Sequence, residues 1–328
     1  MKTRKLGKDG PEVSAIAIGT RSVSESPNDM EGAKAQTIKT LQRAIDSGIN
    51  FINTADFYGM GMNELLIGEA IKGRRDKVFL SVKTGSLRDH KGRYLGIDGR
   101  PAAIKNFCAY SLTRLGVDVI DLYQPARIDP NVPVEETVGA IKDLIQEGKV
   151  RYLGLSEANA GQLKRAYEVH PVSALEIEYS LATRFIENEI LPAARKLGVS
   201  IVPYSVLGYG LLSGNMRVPL ANDDYRNMFP RFQGANLEYN LTKVEFLKEM
   251  AAQKGTSAGS LALAWVVQQG EDIFPIVGMS RPERVEDNLK ALEIVFSNDE
   301  MRLLNETFKI GALKGDRYPA MVQAWAAS

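Results

Sequence analysis

Eight short runs rich in β-branched and apolar residues recur along the chain, at 15–19, 51–53, 78–83, 119–125, 150–156, 174–179, 200–204 and 274–277. Between them lie segments with helical periodicity, among them 35–47, 102–115, 134–147, 161–169 and 186–197. In 134–147 the apolar residues Val138, Ile141, Leu144 and Ile145 return at spacings of three and four, which draws one stripe down a helix. Gly48, Gly116 and Gly198 each close a helical segment just ahead of the next run, where a left-handed residue ends a helix. Strand–helix alternation demands parallel strands joined by helical crossovers. Eight such units predict a (β/α)8 barrel occupying the whole chain, 1–328, as one domain. The rival is an open, doubly wound sheet. It would carry Gly-x-Gly-x-x-Gly after its first strand, and Gly19-Thr20-Arg21 does not supply that.

Three stretches exceed a minimal barrel. Residues 3–6 and 13–14 flank Gly7-Lys8-Asp9-Gly10 and read as a β-hairpin ahead of the first barrel strand. Residues 207–241, rich in Gly, Asn, Pro and charge, separate the seventh strand from its helix. Residues 311–328 run past the last helix and are placed to cover the mouth of the barrel. Long βα loops belong to the C-terminal face of such a barrel, where its chemistry is expected.

The totals exclude several function classes. Net charge is +1 with no long basic run, so no nucleic-acid surface is expected. No apolar stretch reaches the roughly 18 residues of a membrane span. Residues 1–10 carry charge rather than the apolar core of a secretory signal, so a cytoplasmic location is expected. The single cysteine, Cys108, allows no internal disulfide, and 328 residues bury enough surface to need neither a disulfide nor a metal.

Chemistry-bearing residues gather at the C-terminal ends of the runs. Tyr58 follows the second and Lys83 ends the third. A phenol is a weak acid, with a free pKa of about 10. A nearby ammonium stabilises the phenolate and makes the pair a usable proton donor. Taken alone, a packed tyrosine and a solvated lysine would be the better explanation of both residues.

Their surroundings decide between the two. Phe-Ile-Asn-Thr-Ala-Asp-Phe-Tyr-Gly-Met-Gly-Met-Asn-Glu at 51–64 resembles the signature of the aldo-keto reductases. So do Gly154-Leu155-Ser156-Glu157, Pro203-Tyr204-Ser205-Val206-Leu207-Gly208-Tyr209-Gly210, and Ile276-Val277-Gly278-Met279-Ser280-Arg281-Pro282-Glu283-Arg284 with Asp287-Asn288. The motifs stand in order across nearly the whole chain. The resemblance implies reduction of a small carbonyl substrate with NADPH. By the same resemblance Tyr204 stacks on the nicotinamide and Ser156 binds its carboxamide. Leu207, Gly208, Gly210, Ser213 and Gly214 wrap the pyrophosphate. Ser280, Arg281 and Arg284 take the 2′-phosphate and Asn288 the adenine, with Gly278 and Asp287 also among the cofactor contacts. Gly19, Thr20, Arg21 and Ser205 complete the implied cofactor contacts. Two guanidinium groups and a hydroxyl suit a dianionic phosphate, which favours NADPH over NADH.

The usual tetrad of that family is Asp, Tyr, Lys, His, and here only Tyr58 and Lys83 match. Asn53 stands at the aspartate position, and Ala126 at the histidine position. His90 and His170 are the only histidines, and neither can fill the gap. Glu176 replaces a glutamine that in most relatives binds the carboxamide. Asn53, the run Ala126-Arg127-Ile128-Asp129-Pro130-Asn131-Val132-Pro133 and Glu176-Ile177-Glu178-Tyr179-Ser180 together resemble the pyridoxal reductase branch. Asn53 is expected to accept a hydrogen bond from Lys83 while leaving that ammonium with no carboxylate to offset it. Arg127 is expected either to reach the substrate beside Ala126 or to pair with Asp129 and hold its loop. Three functions fit: a pyridoxal reductase, a broad aldehyde and ketone reductase, or a non-catalytic NADPH-sensing subunit.

Overall fold

Successive side chains of a β-strand point to opposite faces, and in this protein that alternation sorts the core into two compartments. The computed structural model describes residues 1–21, 30–323 and 326–327. A hairpin comes first, β1 (Thr3–Lys5) with β2 (Glu12–Ser14). The barrel strands are β3 (Ala17–Gly19), β4 (Phe51–Ala55), β5 (Phe79–Thr84), β8 (Ile120–Pro125), β9 (Val150–Ser156), β10 (Val172–Glu178), β11 (Ser200–Tyr204) and β12 (Ile276–Gly278). All are parallel to their neighbours, in the order β11-β10-β9-β8-β5-β4-β3-β12. A parallel bridge between Ile201 and Ile273 closes the ring from β11 back toward β12. The barrel expected from the strand count is therefore the fold.

The outward residues of the strands, such as Ile52, Leu80, Val82, Tyr123, Leu153, Leu175 and Ile201, pack against the surrounding helices. The crossover helices include α1 (Met30–Asp46), α2 (Met62–Ala70), α3 (Pro101–Leu115), α4 (Val134–Gln146), α5 (Ala160–Val169) and α6 (Ile190–Leu197). The rest of the chain adds α7 (Gly234–Gln253), α8 (Ala258–Val267), α9 (Glu283–Ala291), α10 (Asn298–Thr307) and the short α11 (Ala320–Gln323). Inward residues near the strand starts form a second apolar cluster: Ala17, Phe51, Phe79, Leu122, Ala174 and Val202. Leu6 and Val13 of the hairpin join it, and Gly7 N–H donates to Ser200 Oγ at 2.7 Å. The hairpin thus plugs the N-terminal end, which leaves the other end for chemistry.

In most barrel strands a boundary shifts by one or two residues, and three differences from the sequence reading stand out. The first and last barrel strands are three residues each, because residues 15, 16, 274 and 275 lie outside the parallel pairing. The long connection after β11 ends at 233 rather than 241: α7 starts at Gly234. A second hairpin, β6 (Ser86–Arg88) with β7 (Tyr94–Ile97), rises from the end of β5, where only a loop was expected. Among the described residues no helix is long and apolar enough to cross a membrane.

Candidate active site

Above the apolar floor, the same inward alternation continues with polar residues. Register pairs Asn53 with Ser81, while Glu176 and Gln124 stand two residues beyond Ala174 and Leu122 of the floor. These four side chains are buried, and they converge on one point. Glu176 Oε2 accepts from Asn53 Nδ2 at 2.7 Å, from Gln124 Nε2 at 2.7 Å and from Lys83 Nζ at 3.3 Å. Glu176 Oε1 lies 3.0 Å from Lys83 Nζ. Ser81 Oγ accepts from both Asn53 Nδ2 and Gln124 Nε2, at 3.3 and 3.2 Å. Space for Gln124 comes from Gly154 on the next strand, where a Cβ would stand 2.9 Å from Gln124 Oε1.

Lys83 sits at the top of this web, 4% exposed, and donates to Asn53 Oδ1 at 2.6 Å. Its ammonium lies 5.2 Å from the centre of the Tyr58 ring. Burial pulls the Lys83 pKa down, but the Glu176 carboxylate and then the Tyr58 phenol pull harder, and the net shift is upward. The expectation that no carboxylate offsets Lys83 is therefore overturned: Glu176 reaches across the barrel from β10 and does so. Asp56 takes no part. Its carboxyl accepts from Thr84 Oγ1 at 2.6 Å, and burial drives its pKa up to about 7.

The end of β9 and the end of β11 meet over the same mouth. Glu157 and Ser205, the residues that follow these two strands, hold φ of 53° and 51°, a region that residues other than glycine seldom occupy. Tyr204 OH donates to Glu157 Oε1 at 2.7 Å. Arg317 from the tail bonds Glu157 at 2.7 Å and approaches Glu178 at 3.5 Å, and Ala327 N–H donates to Glu157 Oε2 at 2.9 Å. Burial disfavours the Glu157 carboxylate, yet Arg317 and then Arg127 outweigh it and hold its pKa below the ordinary value.

Arg127 does not pair with Asp129. Asp129 Oδ1 and Oδ2 are taken by the backbone N–H groups of Asn131 and Gly99, both at 2.9 Å. Freed from that loop, Arg127 donates to the Ala126 carbonyl at 2.6 Å, and Tyr204, Tyr318, Glu157 and Tyr209 favour its charge. Those interactions raise its pKa against burial, so it stays a guanidinium cation.

The remaining candidates are distributed around the mouth. Ser156 is 1% exposed, and among the described residues its Oγ has no hydrogen-bond partner. Leu207, Gly208, Gly210, Ser213 and Gly214 form a tight turn, in which Gly210 at φ 89° and Gly214 at φ 75° use glycine's freedom. Ser280, Arg281, Arg284 and Asp287 are exposed at the start of α9, with Asn288 half-buried. Arg284 meets Asp287 at 3.8 Å, and Arg281 makes no ion pair among the described residues. Gly278 faces open space. Thr20 is committed inside the protein, its hydroxyl shared between the Asn53 carbonyl and Asn63 Oδ1 at 2.9 and 2.7 Å. Gly19 packs against Ile276, and Arg21 lies 6.0 Å from the Tyr225 ring.

The sequence profile of the aldo/keto reductase family matches residues 15–309. The chain belongs to that family. It is 40% identical over 316 residues to "Probable aldo-keto reductase 1" of soybean, Glycine max, covering 96% of this chain and 91% of the relative. Among solved structures, a glycerol dehydrogenase from Gluconobacter oxydans superposes with a TM-score of 0.85 at 29% identity, over 96% of this chain and 97% of that one. An aldo/keto reductase from Klebsiella pneumoniae, solved with NADP and acetate, gives 0.75 at 26% identity, over 97% and 99%. The family's fold places function at the end of the barrel where Tyr58, Lys83, Ser156 and Tyr204 lie.

Sequence reasoning missed Gln124, Glu178, Arg317 and Tyr318 as part of this site. The strand alternation marks Gln124 and Glu178 as inward polar positions. Nothing local marks Arg317 and Tyr318, which reach the mouth only through the path of the tail.

Proposed function

We propose that the protein reduces an aldehyde or ketone to an alcohol with NADPH, and that its favoured substrate is a planar aromatic aldehyde of the pyridoxal kind. The observation that carries the reading is the buried Lys83 ammonium, 4% exposed and 5.2 Å from the Tyr58 ring. A buried cation beside a phenol has little structural value and a clear chemical one. When bound, NADPH supplies the hydride that reaches the carbonyl carbon.

The chain's residues do the rest. Tyr58 gives its phenolic proton to the carbonyl oxygen as negative charge develops there, and Lys83 stabilises the phenolate left behind. Ser156, whose buried hydroxyl lacks a partner among the described residues, fits the carboxamide of a nicotinamide. Tyr204 offers a ring face for stacking. The glycines of the turn from Leu207 to Gly214 allow the backbone to approach a pyrophosphate closely. Arg281 and Arg284, with Ser280, fit a 2′-phosphate, and Asp287 and Asn288 an adenine. Glu176 does not fit the carboxamide role, since both of its oxygens are already engaged.

The finer substrate reading draws on Ala126, which leaves no side-chain bulk beyond a methyl at its place, and on Arg127 among Tyr204, Tyr209 and Tyr318. A flat ring carrying a phenolate suits that mixture of aromatic faces and one cation. Following NADPH consumption across a panel of aldehydes tests both levels. The reading expects kcat/KM for pyridoxal to exceed that for small aliphatic aldehydes by about tenfold or more, equivalent to one well-formed charged contact. Equal values would remove pyridoxal. No consumption with any carbonyl would remove the reductase.

A further inference from the structure

The geometry points to Glu176 as the positioning residue of the proton-donating pair: it supplies, from β10, the single negative charge that fixes Lys83 beside Tyr58. This rests on the reading of Tyr58 and Lys83 given above. Among the described residues no other carboxylate bonds Lys83. Asp56 is turned to Thr84, Glu178 to Thr183 and the arginines of its own cluster, and Glu157 to Arg317 and Tyr204. Glu176 itself is 3% exposed, and its donors come from three different strands, β4, β5 and β8.

The direction of each hydrogen bond makes Asn53 and Glu176 a matched pair. Asn53 accepts from Lys83 through Oδ1 and donates to Glu176 Oε2 through Nδ2. Of the two positions, one must be a carboxylate to balance the ammonium, and the other an amide to bond that carboxylate. Two carboxylates 2.7 Å apart would repel, and two amides would leave a buried cation unbalanced. Exchanging the two, Asn53→Asp with Glu176→Gln, keeps one negative charge against Lys83 and one amide against the carboxylate. The charge moves from one side of the ammonium to the other.

The experiment compares the wild type, Glu176→Gln, Asn53→Asp and the double exchange. Three quantities are read: the pH profile of kcat/KM with NADPH and an aldehyde, the Kd of NADPH, and the titration of Lys83 by NMR of labelled lysine. In Glu176→Gln burial is left as the main influence on Lys83, so its pKa should fall by at least about one unit, and the alkaline limb of the profile with it. NADPH affinity should move by less than about threefold, well under one pKa unit's worth of free energy. The double exchange should recover most of what either single variant loses, a strong departure from additivity. If Glu176→Gln leaves the Lys83 titration unmoved, or the double exchange only multiplies the two single losses, the proposal is overturned. The Lys83 titration does not depend on turnover. A wild type inert toward every carbonyl, whose Lys83 still responds as described, would sink the reductase reading alone.

Discussion

Tyr318 reaches in from the C-terminal tail and places its hydroxyl 2.5 Å from that of Tyr204. The contact ties the last residues of the chain to the aromatic ring proposed to face the nicotinamide. Beneath it, Arg317 stands between Glu157 and Glu178, both 0% exposed in their side chains.

Arg317→Ala would take from the buried Glu157 the arginine that pairs with it at 2.7 Å, while Glu178 keeps Arg231 and Thr183. Removing one partner of a buried ion pair costs about 3–5 kcal/mol. Urea unfolding should show a loss of that size, against about 0.5 kcal/mol or less for the exposed Arg284→Ala. A loss under about 1 kcal/mol would mean that the tail does not anchor the mouth.

Asp56 gives a pH dependence with a definite sign. Burial outweighs the Thr84 hydrogen bond and lifts its carboxyl from 3.8 to about 7 in the folded protein. The folded value lies above the unfolded one, so its contribution is present in full below the unfolded pKa and is lost as pH rises through about 7. Asp56→Asn should therefore stabilise the protein, and the gain should grow by about 2–3 kcal/mol between about pH 5 and 8. A gain that is constant with pH, or larger in acid, would show that Asp56 is ionised in the fold.

Arg281 and Arg284 are exposed, and among the described residues they have no ion-pair partner closer than the 3.8 Å contact of Arg284 to Asp287, which suits them to meet a phosphate. Arg284→Ala should weaken NADPH by about 1.5–3 kcal/mol and leave NADH nearly unchanged, as expected for a charge-assisted bond to a group only NADPH carries. Fluorescence titration with both cofactors checks this. Equal weakening would take Arg284 off the 2′-phosphate.

The barrel was legible because strand–helix alternation and helix-closing glycines are local patterns, and Gly48, Gly116 and Gly198 do take left-handed φ. The short first and last barrel strands and the β6–β7 hairpin were less so, since three- and four-residue pairings leave little periodicity to read. Tyr58, Lys83 and Asn53 could be named from sequence because they stand at or near strand ends in motifs that resemble those of the family. That Asn53 touches Glu176, 123 residues away, could not. The two residues stood out as separate departures from their relatives, and only closure of the barrel makes them one unit. For Arg127 the sequence left two places open, and local spacing could not choose between them. Asp129 lies two residues away and looks like its partner, but backbone N–H groups claim that carboxylate first.

The central claim is that Tyr58 gives the proton beside Lys83, and Tyr58→Phe tests it most directly. The hydroxyl acts in the transition state and does not hold the cofactor, so its loss should fall on kcat. The measurement is kcat for the best aldehyde together with the Kd of NADPH, in the wild type and in Tyr58→Phe. The account predicts that kcat falls by about 10²-fold or more, the usual worth of a general acid, while Kd changes by less than about threefold. A variant that keeps most of its turnover would show that another group supplies the proton, and would contradict the account.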